Sequence, residues 1–535
     1  MMNKSKRIAL ITIICILSSH GARGEEPLPA PDKKLRLFSY DELKTLSKVN
    51  LPADHLQKRL DTFFRSCAVS NKAFRNNDRP FRPFNSKIGV PVIRLTNWNI
   101  EKSLNLDNAI KAFTSPAWIR GNLKPGVVSR NRLLFSSIMR QQHKLASSDI
   151  VVLQEMELGI KRSGYRHAAR ELARALDMNY AYAPQYLEID PVRLGLESIY
   201  CTEGELDTAA MDYYRVDPER YKGVFGSAVI SRYPIIYTEV QPLRNQGYDW
   251  YAQEKQKTTF FEQTRRAGSH LIFKDRITRE VKRGGRHFFR VDLHVPSLPE
   301  KRLTVINVHL EIKCSPEERE KQITEILEKI RHIHHPVILV GDFNSSHTDL
   351  SPTSASRVVK RTLKNPTTWL SAGIAYISPY SIAINTSRGI SNYTKNLDDP
   401  LAPHIPVVAP NKLRSFFKKI QNFRFSDGGY FDFRGNEYRS MKGHAGILSN
   451  SNQRDLKGFK TTFSVTRPIG PVIGKYKLDW VFVKSYAHKR IMRQENYLCA
   501  PHYGETLSEL NRNLIHIISD HDPITVDIPL KEPKL

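Results

Sequence analysis

The rest of the chain is organised around one short segment, Pro336-Val337-Ile338-Leu339-Val340-Gly341-Asp342-Phe343-Asn344-Ser345. Its apolar, largely β-branched run predicts a strand that is buried on both faces and stops at Gly341. Asp342 and Asn344 follow, and their side chains project to the same side of an extended chain. A carboxylate and an amide on a rigid support suit a hydrated divalent cation or a water beside it. The alternative for this stretch is an ordinary turn after a core strand.

Strand and helix patterns alternate on both sides of this stretch. Apolar runs predict strands at 92–98, 149–153, 225–231, 288–295, 303–310, 478–483 and 515–518. Amphipathic spacing predicts helices at 40–48, 54–67, 130–145, 165–176 and 316–332. Because continuous and alternating strands are mixed with helices, the sequence indicates an α/β fold of two packed sheets with helices outside.

The first 24 residues have the pattern of a secretory signal peptide. A basic start precedes the apolar run 8–17, and Ala22 and Gly24 occupy small-residue cleavage positions. The apolar run is too short to span a bilayer. We therefore expect cleavage after Gly24 and a secreted or periplasmic chain. Residues 25–90 follow as a partly helical N-terminal extension, and residues 91–535 form the main domain.

The chain is strongly basic, with 82 Lys and Arg residues against 54 Asp and Glu residues. Residues 1–24 hold four basic and no acidic residues, so the remaining chain carries a net charge of +24. Such a charge favours polyanions or acidic surfaces as partners. In an oxidising compartment the remaining cysteines can form one or two disulfides, and the sequence leaves their pairing open. These cysteines are Cys67, Cys201, Cys314 and Cys499.

A basic insertion at about 351–475 interrupts the alternating pattern. It holds 19 Lys or Arg residues against 6 Asp or Glu residues. Between positions 412 and 439, basic residues alternate with aromatic ones, which predicts a nucleic-acid or membrane-interface surface. The alternative is a solvated face over a small satellite core. The candidate substrate-binding residues here are Lys412, Arg414, Lys418, Lys419 and Arg424.

Other strand ends carry polar residues of the kinds that phosphoryl chemistry uses. Asn99 and Glu101 follow the strand at 92–98, and Glu155 follows the strand at 149–153. A carboxylate at such a position is costly unless it is paired or bound to a metal. The alternative for Glu155 is a salt bridge at the strand end.

Histidines and acids form a second set of candidates. His309 lies within a predicted strand, where the alternative is a histidine satisfied in the core. Asp479 stands at the head of the strand at 478–483, and Asp520 and His521 precede a proline. An Asp that orients an imidazole fixes its tautomer and makes it a base or a phosphate partner. The alternative at Asp520 is an Asx turn.

Taken together and in chain order, these motifs resemble the endonuclease/exonuclease/phosphatase superfamily, which includes deoxyribonuclease I, AP endonucleases, bacterial sphingomyelinases and inositol-polyphosphate phosphatases. The resemblance covers about residues 92–350 and 476–529. The motifs that carry it are NWNIE (97–101), LQE (153–155), FGSAVISRYPI (225–235), NVHLE (307–311), VGDFNS (340–345), KLDWVFV (477–483) and SDHDPI (519–524).

The resemblance implies a four-layered α/β/β/α sandwich of two mixed sheets flanked by helices, as in deoxyribonuclease I. It also implies Mg²⁺-dependent hydrolysis of phosphate esters, with Mn²⁺ or Ca²⁺ as alternatives. The implied metal ligands are Asn99, Glu101, Glu155 and Asp520. The implied catalytic residues are His309, Asp342, Asn344, Asp479 and His521. In this interpretation Asp342 positions the attacking water, Asn344 holds the phosphate, and Asp479 orients His521.

His309 matches the deoxyribonuclease I, sphingomyelinase and inositol-phosphatase branches and argues against the AP endonuclease branch. The basic insertion is longer than in the smaller members of the family, and the residues before Val92 match nothing in the family pattern.

Three hypotheses follow for the function. The leading one is a secreted phosphodiesterase acting on nucleic acid, because of the charge. The alternatives are a phospholipid or phosphoinositide hydrolase at membranes, and a catalytically inactive binding module. Catalysis by serine, zinc or cysteine is not supported, since the sequence contains no GxSxG, HExxH or paired CxxC motif.

Overall fold

The structure is a computed structural model that describes residues 28–73, 83–85, 90–200, 206–255, 280–298, 300–346, 411–431, 451–455, 458–469, 473–484 and 502–530. The predicted signal peptide and cleavage site lie outside these residues, as does much of the basic insertion. No helix in the described ranges has the length and apolar character needed to cross a membrane.

The strands are β1 (Ala68–Ser70), β2 (Phe84–Asn85), β3 (Val90–Asn99), β4 (Ile150–Leu158), β5 (Asn179–Glu188), β6 (Val224–Ser231), β7 (Ile235–Pro242), β8 (Lys282–Gly284), β9 (His287–His294), β10 (Arg302–His309), β11 (Val337–Asp342), β12 (Arg454–Asp455), β13 (Gly458–Phe459), β14 (Phe463–Ile469), β15 (Ile473–Tyr476), β16 (Asp479–Lys484), β17 (Tyr503–Thr506) and β18 (Ile524–Pro529).

The helices are α1 (Tyr40–Lys48), α2 (Asp54–Phe64), α3 (Leu106–Thr114), α4 (Pro116–Gly121), α5 (Val127–Arg130), α6 (Arg132–Ala146), α7 (Ala168–Ala175), α8 (Thr208–Tyr214), α9 (Trp250–Lys255), α10 (Pro316–Ile330), α11 (Arg414–Asn422) and α12 (Ser508–Arg512). Short 3₁₀ turns at Glu101–Ser103 and Lys161–Ser163 follow β3 and β4.

Two mixed sheets form the body of the protein. The first has the strand order β1-β5-β6-β4-β3-β18-β17, with β2 paired to β3 and β8 paired to β5. The second has the order β16-β11-β10-β9-β7. Strands β3 and β4 are parallel, as are β10 and β11, and the other pairs within the two sheets are antiparallel.

The buried apolar side chains divide into layers that explain this architecture. One core lies between the sheets and is built largely from aliphatic side chains such as Ile93, Val229, Val305 and Val340. A second core joins the first sheet to helices α1, α2, α3, α6 and α7, and a third joins the second sheet to α10 and α11. Helices therefore cover the outer face of each sheet, and the predicted four-layered sandwich is confirmed.

Local sequence explains how the central elements begin and end. Ser315 caps α10 by accepting a hydrogen bond from the Glu318 amide, and Pro316 occupies the first helical position. Gly341 is required near the end of β11, because its φ is +148° and an added Cβ would meet the Val308 carbonyl oxygen at 1.8 Å. The glycine thus lets β10 and β11 approach closely just before Asp342.

The segment before β3 packs on the same body as the sheets. Strand β1 pairs with β5 through the residue pairs Ala68 with Tyr182 and Ser70 with Tyr180. Helices α1 and α2 bury Leu43, Leu46 and Phe63 in the core beside the first sheet. Part of the predicted N-terminal extension therefore contributes a strand and two helices to the structure.

Two sequence-based expectations are wrong. Residues 515–518 form no strand, because Ile515 and Ile517 are exposed and the sheet position is taken by β18. The aromatic residues of 411–431 do not form a surface, because Phe416, Phe417, Phe423, Phe425 and Phe431 are all buried in the third core. The alternative of a basic face over buried aromatic residues is correct for this part of the insertion, but the core beneath it is the third core itself and not a small satellite.

Candidate active site

Several chain segments meet at one edge of the two sheets. They are the ends of β3, β4, β10 and β11, the start of β16, and the segment that precedes β18. In the second sheet, the register pairs His309 with Asp342 and Asp342 with Asp479. In the first sheet, Asn99 pairs with Gln154, the residue before Glu155. Hydrogen bonding between strands thus fixes the candidate residues next to one another.

Asp479 and His521 form a buried hydrogen-bonded pair. Asp479 Oδ2 lies 2.8 Å from His521 Nδ1. Burial by itself would lower the pKa of His521, but the negative charges of Asp479, Asp520 and Asp342 outweigh it and raise that pKa well above its usual value. His521 is therefore a cation at neutral pH whose Nε2 points towards Asp342, at 4.0 Å from Asp342 Oδ2.

Asp342 is held by amides from both sheets. Asn99 Nδ2 donates to Asp342 Oδ2 at 3.1 Å, and the Asn344 backbone amide donates to Asp342 Oδ1 at 2.8 Å. Burial raises the pKa of Asp342 to about 7, against the opposing effect of the positive charge on His521. The Asn344 side chain donates to the Leu310 carbonyl oxygen at 2.9 Å. An amide nitrogen has two N–H groups, so one donor remains for a phosphate.

His309 stands between Asp342 and Glu155. Its Nε2 lies 3.8 Å from Asp342 Oδ2 and 4.0 Å from Glu155 Oε1. Burial, together with the positive charges of Arg286 and His521, lowers the pKa of His309 well below its usual value. The two histidines thus differ in charge at neutral pH, because His309 is neutral and His521 is protonated. Such a pair offers one neutral and one charged donor to the same phosphate.

Glu155 is re-aimed by a local irregularity in β4. The pairing of β4 with β6 shifts register between Leu153 and Met156, and Glu155 has a φ of +58°. A bulge of this kind turns a side chain out of the regular alternation of the strand. The Lys102 amide donates to Glu155 Oε2 at 3.0 Å, and Ser103 Oγ donates to the Glu155 backbone oxygen at 3.1 Å.

Glu101 and Asp520 are two acidic side chains that lie close together at the catalytic edge. Glu101 Oε2 accepts a hydrogen bond from the Asp520 amide at 3.1 Å. Burial and the negative charge of Asp520 raise the pKa of Glu101 to about 8, and burial together with nearby acids raises the pKa of Asp520 to about 6. Carboxyl groups crowded in this way keep their charges only if a cation neutralises them. Hard divalent cations prefer oxygen ligands, so the crowded oxygens of Glu101 and Asp520 suit such an ion. The assignment of Asn99, Glu101, Glu155 and Asp520 as its ligands stays a prediction.

A second group of potential ligands overlaps the catalytic residues. One ligand atom from each of Asp342, Asp479 and His521 lies within 4.8 Å of the others. Asp479 Oδ2 and His521 Nδ1 already bond to each other, so this geometry also suits a catalytic dyad beside Asp342. Contacts link all nine of the predicted catalytic and metal-binding residues into one cluster.

The five predicted substrate-binding residues are spread along one side of the molecule. Helix α11 packs beside α10, with Lys419 Nζ 3.8 Å from Glu320 Oε1 and Arg331 Nη1 donating to the Arg424 carbonyl oxygen at 3.0 Å. Because α10 starts at the catalytic edge and ends at the opposite edge, Lys412 and Arg414 lie on the catalytic side. Lys418 and Lys419 lie along the helix, and Arg424 lies at the far end. The structure does not gather these five at the site.

Sequence reasoning missed a buried amide network that supports the cluster from below. Gln154 Nε2 donates to Asn97 Oδ1 at 3.0 Å and to Asn307 Oδ1 at 2.8 Å, which ties the two sheets together. Asn307 Nδ2 in turn donates to the Leu153 and Ala228 carbonyl oxygens at 3.1 and 2.9 Å. The sequence did hold a signal for this network. Asn97 stands two positions before Asn99, Asn307 two positions before His309, and Gln154 one position before Glu155.

Two smaller groups were also missed. The Thr462 hydroxyl accepts from the Leu478 and Asp479 amides at 3.2 Å each. Ser519 Oγ donates to the Asn99 carbonyl oxygen at 2.7 Å and accepts from the His521 amide at 3.1 Å. Both hydroxyls hold backbone that carries the dyad. Ser519 stands in the SDHDPI motif, whereas Thr462 lies in none of the motifs quoted from the sequence.

The two described cysteines are not suited to nucleophilic catalysis. Cys67 and Cys314 are buried and free, so they do not pair with each other. Burial raises the pKa of Cys67 to about 12 and that of Cys314 to about 11, which keeps both thiols protonated. Cys201 and Cys499 lie outside the described residues.

Comparisons with known proteins agree with this fold. Residues 97–521 match the model of the Endonuclease/Exonuclease/phosphatase family. A search of curated proteins gives no match. Similar solved structures include an endonuclease/exonuclease/phosphatase from Beutenbergia cavernae, at 15% identity and a TM-score of 0.34, with 82% of this chain and 71% of that chain covered.

Two further structures show the same level of similarity. Truncated TDP2 from Caenorhabditis elegans has 11% identity and a TM-score of 0.32, with 82% and 97% covered. The 3' phosphatase NExo from Neisseria, solved with a product DNA hairpin, has 12% identity and a TM-score of 0.33, with 82% and 99% covered. TM-scores this low carry no argument about function. The family match, in contrast, spans most of the chain and includes the whole catalytic cluster, so this chain belongs to the endonuclease/exonuclease/phosphatase family.

Proposed function

We propose that this protein is a secreted, divalent-metal-dependent phosphodiesterase that cleaves nucleic acid. The observation that carries the proposal is the single cluster in which His521, His309 and several acidic side chains surround Asp342. A phosphodiester resists attack because it is anionic. Its hydrolysis therefore needs positive groups next to the phosphate and a water molecule oriented for attack.

The residues divide this work between them. Asn99, Glu101, Glu155 and Asp520 would hold the cation, with Mg²⁺ as the first candidate. When bound, that ion would neutralise charge on the phosphate. Asp342 orients the attacking water or accepts its proton, because two amide donors hold the Asp342 carboxylate in place. His521, kept protonated by Asp479, and neutral His309 donate hydrogen bonds to the phosphate oxygens.

Charge supports nucleic acid as the substrate. The chain carries a formal net charge of +28, and α11 carries the exposed Lys418 and Lys419 alongside α10. Phosphate backbones are bound largely through such charges. The proposal of secretion rests on the signal-like residues 1–24, and its test is the appearance of protein that begins at Glu25 outside the producing cell.

The test of the function is a side-by-side assay of purified protein on plasmid DNA, RNA, sphingomyelin and phosphoinositides, first with Mg²⁺ and then with EDTA. We expect cleavage of nucleic acid with Mg²⁺ and none with EDTA. Faster cleavage of a lipid would replace the nucleic-acid assignment by the membrane alternative. Inactivity on every substrate with Mg²⁺, Mn²⁺ and Ca²⁺ would leave only a binding module.

A further inference from the structure

A groove of about 940 Å³ lies between α2, the loop and helix that follow β7, and β8. One wall comes from the N-terminal segment through Gln57, Asp61 and Phe64. The opposite wall comes from residues 246–252 and from Lys282 and Arg283 of β8. The N-terminal segment, which matches no family motif, therefore builds half of a groove on the surface of the catalytic body.

The groove lies beside the catalytic edge. His287, at the start of β9, lies in it, and the register that pairs Asn307 with Phe289 places His287 across from His309. Neighbouring strands are about 5 Å apart, so the groove begins one strand away from the catalytic histidine. Lys282 also lines the groove, and its charge is among those that lower the pKa of His309.

Its walls expose both apolar and polar surface, and the charged side chains among them are more often positive than negative. The lining includes Arg65, Lys255, Lys282 and Arg283, against Asp61 and Asp249. Lys282 Nζ is paired with Glu280 Oε2 at 2.9 Å, so Arg65, Lys255 and Arg283 supply the excess. The Arg283 guanidinium donates to the backbone carbonyl oxygens of Leu46 and Asn50 at 3.1 and 3.2 Å, which leaves its charge without a carboxylate partner in the described ranges.

One buried polar atom in this groove has no partner. His287 is 2% exposed, and its Nδ1 lies 3.3 Å from the Pro184 carbonyl oxygen. Its Nε2 makes no hydrogen bond within the described part of the chain. A buried nitrogen without a partner is costly unless a ligand or a water supplies one.

We propose that this groove binds the single strand of nucleic acid that flanks the scissile phosphate. The inference rests on the proposed function and names the surface that holds the non-reacting part of the substrate. A flexible strand with repeating phosphates fits a recessed, positively charged channel. A flat membrane surface cannot enter the recess, and the charged side chains of the lining disfavour an acyl chain. Contacts remote from the reacting atoms add binding energy for long substrates without altering the chemistry.

The test fills the groove from an exposed helical position. Ala252 is exposed and lines the groove, whereas its neighbour Gln253 is exposed and does not. Ala252→Trp should therefore obstruct the groove, and Gln253→Trp is the matched control. Binding is measured by fluorescence anisotropy of a labelled single-stranded oligonucleotide in EDTA, where no cleavage occurs. KM and kcat are measured with Mg²⁺ on the oligonucleotide and on bis(p-nitrophenyl) phosphate.

We expect Ala252→Trp to raise both Kd and KM for the oligonucleotide about tenfold. Its turnover of the small diester should stay within about twofold of wild type, and Gln253→Trp should match wild type in all assays. Thermal melting checks that each variant is folded. If Ala252→Trp is unstable, Gln57→Trp on the facing wall replaces it, with exposed Lys58→Trp as its control.

The outcomes separate the two proposals. Wild-type protein that cleaves no nucleic acid would overturn the proposed function. Wild-type protein that cleaves it, with Ala252→Trp and Gln57→Trp binding as tightly as wild type, would overturn only the groove assignment. Weaker binding of Ala252→Trp to phosphoinositide vesicles, with unchanged oligonucleotide binding, would also overturn it in favour of a lipid.

Discussion

The pairing of Asp479 with His521 gives the sharpest prediction about catalysis. Asp479→Asn keeps the size of the side chain and removes its charge from a buried contact of 2.8 Å. Charge centres about 4 Å apart attract by about 4 kcal/mol at an effective dielectric constant of about 20. If this attraction stabilises protonated His521 in the transition state, its loss lowers kcat by about three orders of magnitude.

His521→Ala should cost at least as much, because it removes the group that Asp479 serves. The double variant should then be little worse than the more damaged single variant. The assay is kcat and kcat/KM on a small phosphodiester with saturating Mg²⁺, and thermal melting monitors folding. Asp522→Asn is the matched control, since this neighbouring buried acid bonds to Arg512 and Asn511 instead of His521.

Additive losses in log kcat would refute the reasoning. They would mean that Asp479 and His521 act through separate contacts, for example if Asp479 served the metal alone. A loss of only about threefold in Asp479→Asn would show that the charge on His521 does not depend on this carboxylate.

Three further predictions concern the metal, the basic face and pH. Glu155→Gln should lower kcat by about two orders of magnitude or more because a charged oxygen ligand is lost; Glu157→Gln, whose carboxylate bonds to Arg162, should stay close to wild type, and full activity in EDTA would contradict the assignment. Simultaneous replacement by serine of the basic residues Lys412, Arg414, Lys418, Lys419 and Arg424 should raise KM for polymeric substrate and make that KM less dependent on salt, while turnover of a small diester is unchanged. An equal loss of activity on the small diester would show that α11 shapes the active site. Burial lowers the pKa of His287 to about 3 in the folded protein. Between that value and the unfolded pKa of about 6.5 only the unfolded chain takes up the proton, so the free energy of unfolding falls by about 2 kcal/mol from neutral pH to pH 5. Urea unfolding of His287→Gln should show a smaller loss of stability between pH 7.5 and 5 than wild type, and an equal loss would exclude this histidine as the cause.

Several features of this protein could be predicted because they depend on neighbouring residues alone. The buried strand at 337–342, the helix that starts at Pro316 and the helix at 40–48 follow from apolar periodicity, capping residues and glycine. The chemistry-bearing positions also follow, because each stands in a short motif at or near one end of an apolar strand. The failure at 515–518 has the same origin, since a short apolar run does not reveal whether its side chains are exposed.

Only the tertiary structure decides what these residues do together. Asn99 meets Asp342 across 243 positions and His521 meets Asp479 across 42, and no local pattern encodes such distances. The opposite charge states of His309 and His521 arise from burial and from which acids lie nearby. The aromatic residues of α11 look like a binding surface in the sequence, yet they are core, because the second sheet offers an apolar face for them to cover. Burial and long-range contact are properties of the packed chain, so residue types and spacing supply the components of this site and packing determines their arrangement.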